Sequence, residues 1–332
     1  MFRGKRILFG MMAVCMLAVL AGCGNTEKIK PGSVQEGASA VTAPETYGSE
    51  RGEESVLDGA GTEQQNENRN KDMEGMDAMD IVKDMRIGWN IGNTLDSTRT
   101  DLARTDQPYK FETAWGNPKV TQELIDAVLD AGFNVIRVPV SWTNHIGPAP
   151  DYTITQSWME RVKEVVDYAY DKGAYVIVNV HHEDWNYPYH DNIERASAEM
   201  EAVWAQIAEV FQDYDEHLIF VGQNEPRKIG TPLEWNGGDA EGWEVVNQTN
   251  KVFISTVRAS GGSNPYRMLM IPGYGANCTV GIRHVEAPEN DNRVIISVHA
   301  YEPYDFALKP DGRSAWNHDT TAIDNLMNDL KT

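Results

Sequence analysis

Cysteine is scarce in this sequence, and its scarcity excludes a disulfide-built fold. The 332 residues contain three cysteines, Cys15, Cys23 and Cys278. No two of them have the spacing of a zinc-binding pair. The first two lie near the amino terminus in a segment with the features of an export signal, so Cys278 is left without a partner within the chain. We predict that Cys278 is an inert buried thiol.

Positively charged residues are also few. Lysine and arginine number 29 against 50 aspartate and glutamate residues, which gives a formal net charge of −21. Phosphate groups would meet little basic surface, so a nucleic-acid partner is excluded. Hydrophobic residues make up 41% of the chain, enough for a real core. The composition fits a secreted protein that acts on a neutral substrate.

The sequence lacks an apolar run of the ~20 residues that a membrane-spanning helix needs. A shorter apolar run, Ile7 to Leu20, follows three basic residues between Arg3 and Arg6. This order is typical of an export signal. The run ends in Leu20-Ala21-Gly22-Cys23, which resembles the bacterial lipobox and implies cleavage before Cys23 and lipidation of that residue. We therefore expect a lipoprotein, anchored to the membrane at the bacterial cell surface or in another extracytoplasmic location.

Aromatic residues are nearly absent between Gly24 and about Gly75, where Gly, Ser, Glu, Gln, Asn and Thr predominate. Such a composition cannot bury enough apolar surface to offset the entropy of ordering. We predict a flexible acidic linker over residues 24–75, after a signal peptide at 1–23. A single folded domain is expected over residues 76–332.

Short apolar runs alternate with amphipathic helices in the predicted domain, which favours a parallel sheet. The predicted strands are Ile87–Ile91, Asn134–Val140, Tyr175–Val180, Leu218–Gly222, Arg267–Ile271 and Val294–Val298. The predicted helices are Val120–Ala131, Trp158–Lys172, Ala196–Tyr214, Glu244–Ser260 and Thr321–Lys331. A doubly wound sheet and a (β/α)8 barrel both fit this alternation. Because Gly88-Trp89-Asn90-Ile91-Gly92 lacks a third glycine and no helix opens there, the nucleotide-binding fingerprint is missing. This absence favours the barrel.

Polar side chains follow nearly every predicted strand, where a parallel barrel carries its active site. The clearest case is Leu218–Gly222, which runs into Gln223-Asn224-Glu225-Pro226. The others are Asn90, Asn93, Asp96, Arg137, Trp142, His145, His181, His182, Glu183, His299 and Tyr301. Neighbouring strand residues point to opposite faces, so His181 and His182 are not predicted to share a metal ion. The collection indicates a site for a carbohydrate or another small polar ligand.

Six ordered motifs resemble subfamily 4 of glycoside hydrolase family 5. They begin at Gly88 (GWNIGNTLD), Glu112 (ETAWGNP), Asn134 (NVIRVPVSW), His181 (HHE), Asn224 (NEPR) and Ser297 (SVHAY). The resemblance runs from about Asp77 to the end of the sequence. It implies a (β/α)8 barrel and a retaining endo-β-1,4-glucanase of the cellulase, xyloglucanase or lichenase type, acting on polysaccharide as a monomer. It also implies that no metal and no organic cofactor takes part.

The resemblance also implies roles for individual residues. Glu225 corresponds to the general acid/base, whose pKa we expect to be raised, Asn224 to the ligand of the sugar 2-hydroxyl and Arg137 to the residue that orients the nucleophile. It implies substrate contacts from Asn93, Asp96, His181, His182, His299 and Tyr301. We predict in addition that Trp89, Trp142 and Trp185 are sugar-stacking platforms, with core packing an equally good interpretation for Trp89.

The nucleophile that the resemblance implies, a glutamate after the seventh strand, matches no residue of this sequence. Glu302 follows the His299-Ala300-Tyr301 motif too closely to replace it. We expect about six of the eight barrel units to be present, so that this polypeptide would be an amino-terminal fragment that folds poorly and hydrolyses little glucan. Two alternatives stay open: a non-catalytic glycan-binding lipoprotein and a β-mannanase. The coding sequence beyond residue 332 would distinguish an enzyme from a binder.

Overall fold

The computed structural model of the chain describes residues 72–331. The predicted signal peptide, Cys23 and nearly all of the predicted linker lie outside these residues. Met73 is buried, and the Arg293 guanidinium donates to the carbonyl of Glu74, so packing includes a few residues that we assigned to the linker. No helix in the described part of the chain is long and apolar enough to span a membrane.

Six parallel strands form one sheet in the order of the sequence, with helices between them. The sheet curls as part of a TIM barrel, as predicted. The strands are β1 Gly88–Asn90, β2 Val135–Val138, β3 Tyr175–Asn179, β4 Leu218–Val221, β5 Leu269–Asn277 and β6 Val294–His299. Five of them lie within the predicted limits or one residue beyond. The fifth is longer than predicted, because a bulge lets the chain continue pairing with β6 as far as Asn277.

The helices are α1 Ala78–Asp84, α2 Pro108–Glu112, α3 Gln122–Asp130, α4 Gln156–Tyr170, α5 Ile193–Val210, α6 Ala240–Ala259, α7 Tyr304–Ala307 and α8 Thr321–Asp329. Those predicted from the sequence are α3 to α6 and α8. The three that sequence analysis missed are seven residues or fewer in length. Such helices span too few turns to show a hydrophobic period.

Side chains alternate between two cores along each strand, because successive strand residues point to opposite faces. Ile136 and Val178 pack against the helices, in the larger core that also contains Trp142 and Trp204. Ile177 and Ile219 pack inside the curve of the sheet with Met270. Polar residues replace apolar ones on the inner face near the strand ends, at Arg137 in β2 and Asn179 in β3. The inner face is therefore apolar in its interior and polar near the carboxyl ends of these strands.

Candidate active site

A cleft of about 260 Å³ lies at the carboxyl ends of the strands. The segments after β1 to β4 line it, and the lining residues include Thr98, Thr143, His181, Glu225 and Arg227. Parallel strands end at the same edge of the sheet, so residues that are distant in sequence converge here. This is the position that sequence analysis predicted for the site.

Glu225 is the carboxylate at the centre of the cleft. It lies four residues beyond the end of β4, and its side chain is only 10% exposed. The Oε1 atom is 2.6 Å from His299 Nδ1 and accepts a 3.2 Å hydrogen bond from the Tyr301 hydroxyl. Arg227 Nη1 is 3.7 Å from the second oxygen, Oε2. The structure thus brings together Glu225, His299 and Tyr301, as predicted.

The pKa of Glu225 is lowered, which contradicts our expectation of a raised value. Burial favours the neutral acid, but the hydrogen bond and charge of His299, the Arg227 guanidinium and the Tyr301 hydroxyl outweigh it. Burial raises the pKa of the Tyr301 hydroxyl, and the charge and hydrogen bond of Glu225 add to that shift. The contacts of Glu225 with His299, Arg227 and Tyr301 therefore favour its ionised form.

Arg137 hydrogen-bonds to the side chains of two asparagines near the carboxyl ends of the strands. Its Nη1 donates to Asn90 Oδ1 and its Nη2 to Asn224 Oδ1, each at 2.7 Å. Burial lowers the pKa of the guanidinium to about 10, although the carboxylates of Glu225 and Asp96 oppose that shift. Because the amide oxygen of Asn224 accepts from Arg137, the Nδ2 group of Asn224 remains to donate a hydrogen bond.

His181 and His182 lie side by side, which our argument from strand alternation did not predict. Their rings are 4.4 Å apart and nearly perpendicular. Strand β3 ends at Asn179, so the alternation no longer applies to these two residues. One potential ligand atom from each histidine and one from Asp96 lie within 4.8 Å of one another. Burial lowers the pKa of both imidazoles, which favours their neutral forms.

The Asp96 carboxylate hydrogen-bonds mainly to backbone amides of its own loop. Its carboxylate accepts the amides of Asn93 at 3.1 Å and Thr94 at 2.7 Å. Asn93 adopts a left-handed backbone conformation, with φ of 57°, and its side chain is exposed. The carboxylate therefore stabilises an unusual turn beside the cleft. Contacts from Asn93 and Asp96 to a substrate stay a prediction.

Two of the three tryptophans predicted to stack on sugar are not available for that role. Trp142 and Trp185 are fully buried, and their indole nitrogens donate to the Asn179 carbonyl and to Glu183 Oε2. Trp89 is in register with Ile136, and its ring packs on Phe133 against the helix-facing core. The platform prediction is wrong for Trp142 and Trp185, because their rings are fully buried. For Trp89, which is half-buried, these contacts favour the core-packing alternative.

Glu183 explains the burial of two of these rings. Its Oε1 accepts the Trp142 amide at 2.7 Å and its Oε2 accepts the Trp185 indole at 2.8 Å. The carboxyl joins the segment after β2 to the segment after β3. Burial raises the pKa of Glu183 to about 8, against the effect of these two hydrogen bonds.

Other predicted polar residues take structural roles. His145 is buried and stacks on Trp158, and burial lowers its pKa to about 3. Cys278 is half-buried rather than buried, and burial raises the pKa of its thiol, which lowers its reactivity.

Sequence analysis assigned no role to two exposed tryptophans, Trp115 and Trp235, or to Arg227, which lines the cleft. Trp115 is 40% exposed and its ring is 5.4 Å from that of His182. Trp235 is 59% exposed, and the Arg227 guanidinium lies 4.1 Å above its ring. Exposed aromatic rings beside polar groups suit the apolar face of a sugar. Trp115 and Arg227 lie in two of the six motifs, whereas Trp235 lies in none of them, and only the structure shows that both rings are exposed.

Comparison with known proteins places the chain in a family. Residues 96–332 match the family model described as cellulase, glycosyl hydrolase family 5. Endoglucanase B of Neocallimastix patriciarum is 48% identical over 265 residues, which are 79% of this chain and 56% of that protein. Endoglucanase A of Ruminococcus albus is 44% identical over 271 residues, covering 79% of this chain and 72% of that protein. The chain thus spans about half the length of the first relative.

A solved structure is also similar. It is a GH5-4 broad specificity endoglucanase from Ruminococcus champanellensis with bound cellotriose. The two chains align with a TM-score of 0.73 at 42% sequence identity, over 76% of each chain.

Proposed function

The chain belongs to glycosyl hydrolase family 5, and we propose from that membership that it carries the acid/base part of a retaining endo-β-1,4-glucanase site. The observation that supports this most is the position of Glu225. It lies beyond the carboxyl end of β4, within hydrogen-bond distance of His299 and Tyr301. Asn224, the preceding residue, is held by Arg137.

The proposed chemistry begins with Glu225 in its protonated form. The acid donates its proton to the glycosidic oxygen as the bond to the anomeric carbon breaks, and later takes a proton from the attacking water. Asn224 Nδ2 is free to donate to the sugar hydroxyl next to the reacting carbon. A retaining mechanism also requires a carboxylate nucleophile, and we assign no residue of this chain to that role.

A β-1,4-linked glucan is the proposed substrate class. The similar Ruminococcus champanellensis enzyme binds cellotriose, and the exposed rings of Trp115 and Trp235 suit stacking on pyranose faces. Isothermal titration of the chain with cellotetraose and with mannotetraose tests this proposal. We expect cellotetraose to bind at least about tenfold more tightly. Equal affinity, or tighter binding of mannotetraose, would favour the β-mannanase alternative.

A non-catalytic glycan-binding role is the second candidate, and the lowered pKa of Glu225 favours it. A carboxylate that stays ionised at neutral pH accepts hydrogen bonds from sugar hydroxyls but has no proton to donate. The two roles differ in whether Glu225 is needed for bond cleavage or only for binding, and the Discussion gives an experiment that separates them.

We propose further that the protein is a monomer anchored to a bacterial membrane by lipid on Cys23, at the cell surface or in another extracytoplasmic location. The support is the order of basic residues, apolar run and Leu20-Ala21-Gly22-Cys23 in the sequence. Expression in a bacterial host with radiolabelled palmitate tests the anchor. We expect label in the wild-type protein and none in Cys23→Ser, with the wild type in the membrane fraction. Detergent-solubilised protein should have the mass of one chain in light scattering.

A further inference from the structure

Asn179, the last residue of β3, has its side-chain amide oriented by the backbone of the neighbouring strand segment. The side chain is fully buried, and Oδ1 lies 3.0 Å from the Val140 amide nitrogen. A backbone N–H can only donate, so the atom facing it must be the amide oxygen. The Nδ2 group of Asn179 consequently points the other way, toward His181.

The direction of the Asn179 amide determines where His181 carries its proton. Asn179 Nδ2 lies 2.9 Å from His181 Nδ1. Because Nδ2 is a donor without a lone pair to offer, Nδ1 must be the acceptor. A neutral imidazole with a lone pair on Nδ1 has its proton on Nε2. Burial, together with the nearby Arg137 guanidinium, holds the pKa of His181 well below its usual value and so favours the neutral ring.

The Nε2 atom is the part of the ring that remains for the cleft. His181 lines the cleft, and among residues 72–331 its ring has a hydrogen bond only to Asn179. We propose that Asn179 is a positioning residue that fixes His181 as the Nε2–H tautomer, so that His181 presents a neutral N–H donor to a substrate hydroxyl. The substrate part of this proposal rests on the proposed glycosidase function. The tautomer itself does not.

The same hydrogen bond works against metal binding by the cluster of Asp96, His181 and His182. The lone pair of His181 Nδ1 accepts from Asn179, and Nε2 carries the proton, so neither nitrogen is free to bind an ion. Histidine ligands in metal sites usually donate their second ring N–H to a carboxylate or carbonyl. Asn179 presents a donor instead.

Asn179→Asp tests the proposal, because the substitution keeps the shape of the side chain and removes its donor. One carboxylate oxygen can still accept the Val140 amide, while the other requires a proton on His181 Nδ1. Long-range ¹H–¹⁵N spectra of protein labelled at its histidines report the tautomer, with the His181 signal identified by its loss in His181→Gln. We expect Nε2–H in the wild type and a proton on Nδ1 in Asn179→Asp.

The wild-type spectrum decides the question even if the variant does not fold. A proton on Nδ1 of His181 in the wild type would overturn the proposal. An unchanged Nε2–H tautomer in folded Asn179→Asp would overturn it as well. Asn277→Asp is the matched control, since Asn277 Oδ1 accepts the Thr279 and Val280 amides as a carboxylate would. The control should leave the His181 signal unchanged.

Zinc binding gives a second readout that loss of structure cannot imitate. With zinc chloride as the probe, we expect Asn179→Asp to bind at least about tenfold more tightly than the wild type or Asn277→Asp. Equal zinc affinity in all three proteins would contradict the proposal. Cellotetraose affinity should fall about tenfold in Asn179→Asp, as expected for one lost hydrogen bond. If wild-type protein does not bind cellotetraose, the proposed function fails, while the spectra and the zinc titration still decide the tautomer.

Discussion

Arg137 Nη2 lies 2.7 Å from Asn224 Oδ1, and this hydrogen bond joins β2 to the segment after β4 beneath the cleft. The other terminal nitrogen of the guanidinium donates to Asn90, in β1. Three segments of the inner face are thus tied together by one side chain. The result is a fixed orientation for the amide next to Glu225.

Arg137→Lys should therefore weaken sugar binding. A lysine ammonium lacks the planar fork that holds two amide oxygens at once, so the amide of Asn224 would lose its fixed orientation. We expect cellotetraose affinity to fall about tenfold and the free energy of unfolding to fall by about 1–3 kcal/mol. Isothermal titration and urea unfolding measure these quantities. Arg313→Lys, on the surface beside Asp305, is the control, and an equal loss of affinity in both variants would contradict this role.

Glu225 should titrate below the usual range of a glutamate, and His299→Asn should raise its pKa. The substitution removes the strongest interactions that oppose burial, namely the hydrogen bond and charge of His299. Because the folded-state pKa lies below the unfolded value, Glu225 stabilises the fold above the unfolded pKa and loses this effect as pH falls. Carbon-13 titration of the Glu225 carboxyl measures its pKa in the wild type and in His299→Asn. The Glu225 signal is identified by its loss in Glu225→Gln. An unchanged pKa in His299→Asn would contradict the assignment.

Glu183 should make the fold less stable as pH rises. Its pKa is about 8 in the folded protein, against an ordinary value of 4.5. The folded state keeps the proton through this interval while the unfolded state releases it, so the free energy of unfolding falls by up to about 1.4 kcal/mol per pH unit. Glu183→Gln should flatten this dependence, although it lowers stability at every pH because one donor, the Trp142 amide or the Trp185 indole, loses its acceptor. Urea unfolding at several pH values checks the slope, and an equally steep slope in the variant would be the contrary result.

Trp115→Ala should weaken binding without unfolding the protein. The ring is 40% exposed and lies beside His182, so its loss removes a surface for a pyranose ring. We expect cellotetraose affinity to fall about fivefold, with the melting temperature nearly unchanged. Trp185→Phe is the comparison: this ring is fully buried, so the loss should be in melting temperature. A loss of affinity confined to Trp185→Phe would restore the platform role that we rejected.

The sequence predicted the barrel because short, mainly apolar runs alternate with amphipathic helices and polar residues follow nearly every run. It predicted Glu225 because Gln223-Asn224-Glu225-Pro226 comes directly after the apolar run Leu218–Gly222. The directions in which the side chains point were harder to predict. The alternation that locates Arg137 in β2 stops where β3 ends, so it could not place His181, His182 or Trp185. The pKa of Glu225 depends on His299, which is 74 residues away, and on how the sheet curls. The residues next to Glu225 in the sequence show neither its distance to His299 nor the balance of burial and charge that determines its pKa.

Whether Glu225 acts as an acid can be measured with an external nucleophile. Azide can attack the anomeric carbon of phenyl β-cellobioside while the phenolic oxygen leaves with the Glu225 proton, forming α-cellobiosyl azide and phenol. With the full chain, we expect azide-dependent product that increases as pH falls and is at least about 100-fold greater than with Glu225→Gln. Equal azide product from both proteins, or none from the wild type while it still binds cellotetraose, would contradict the acid role and favour a glycan-binding protein.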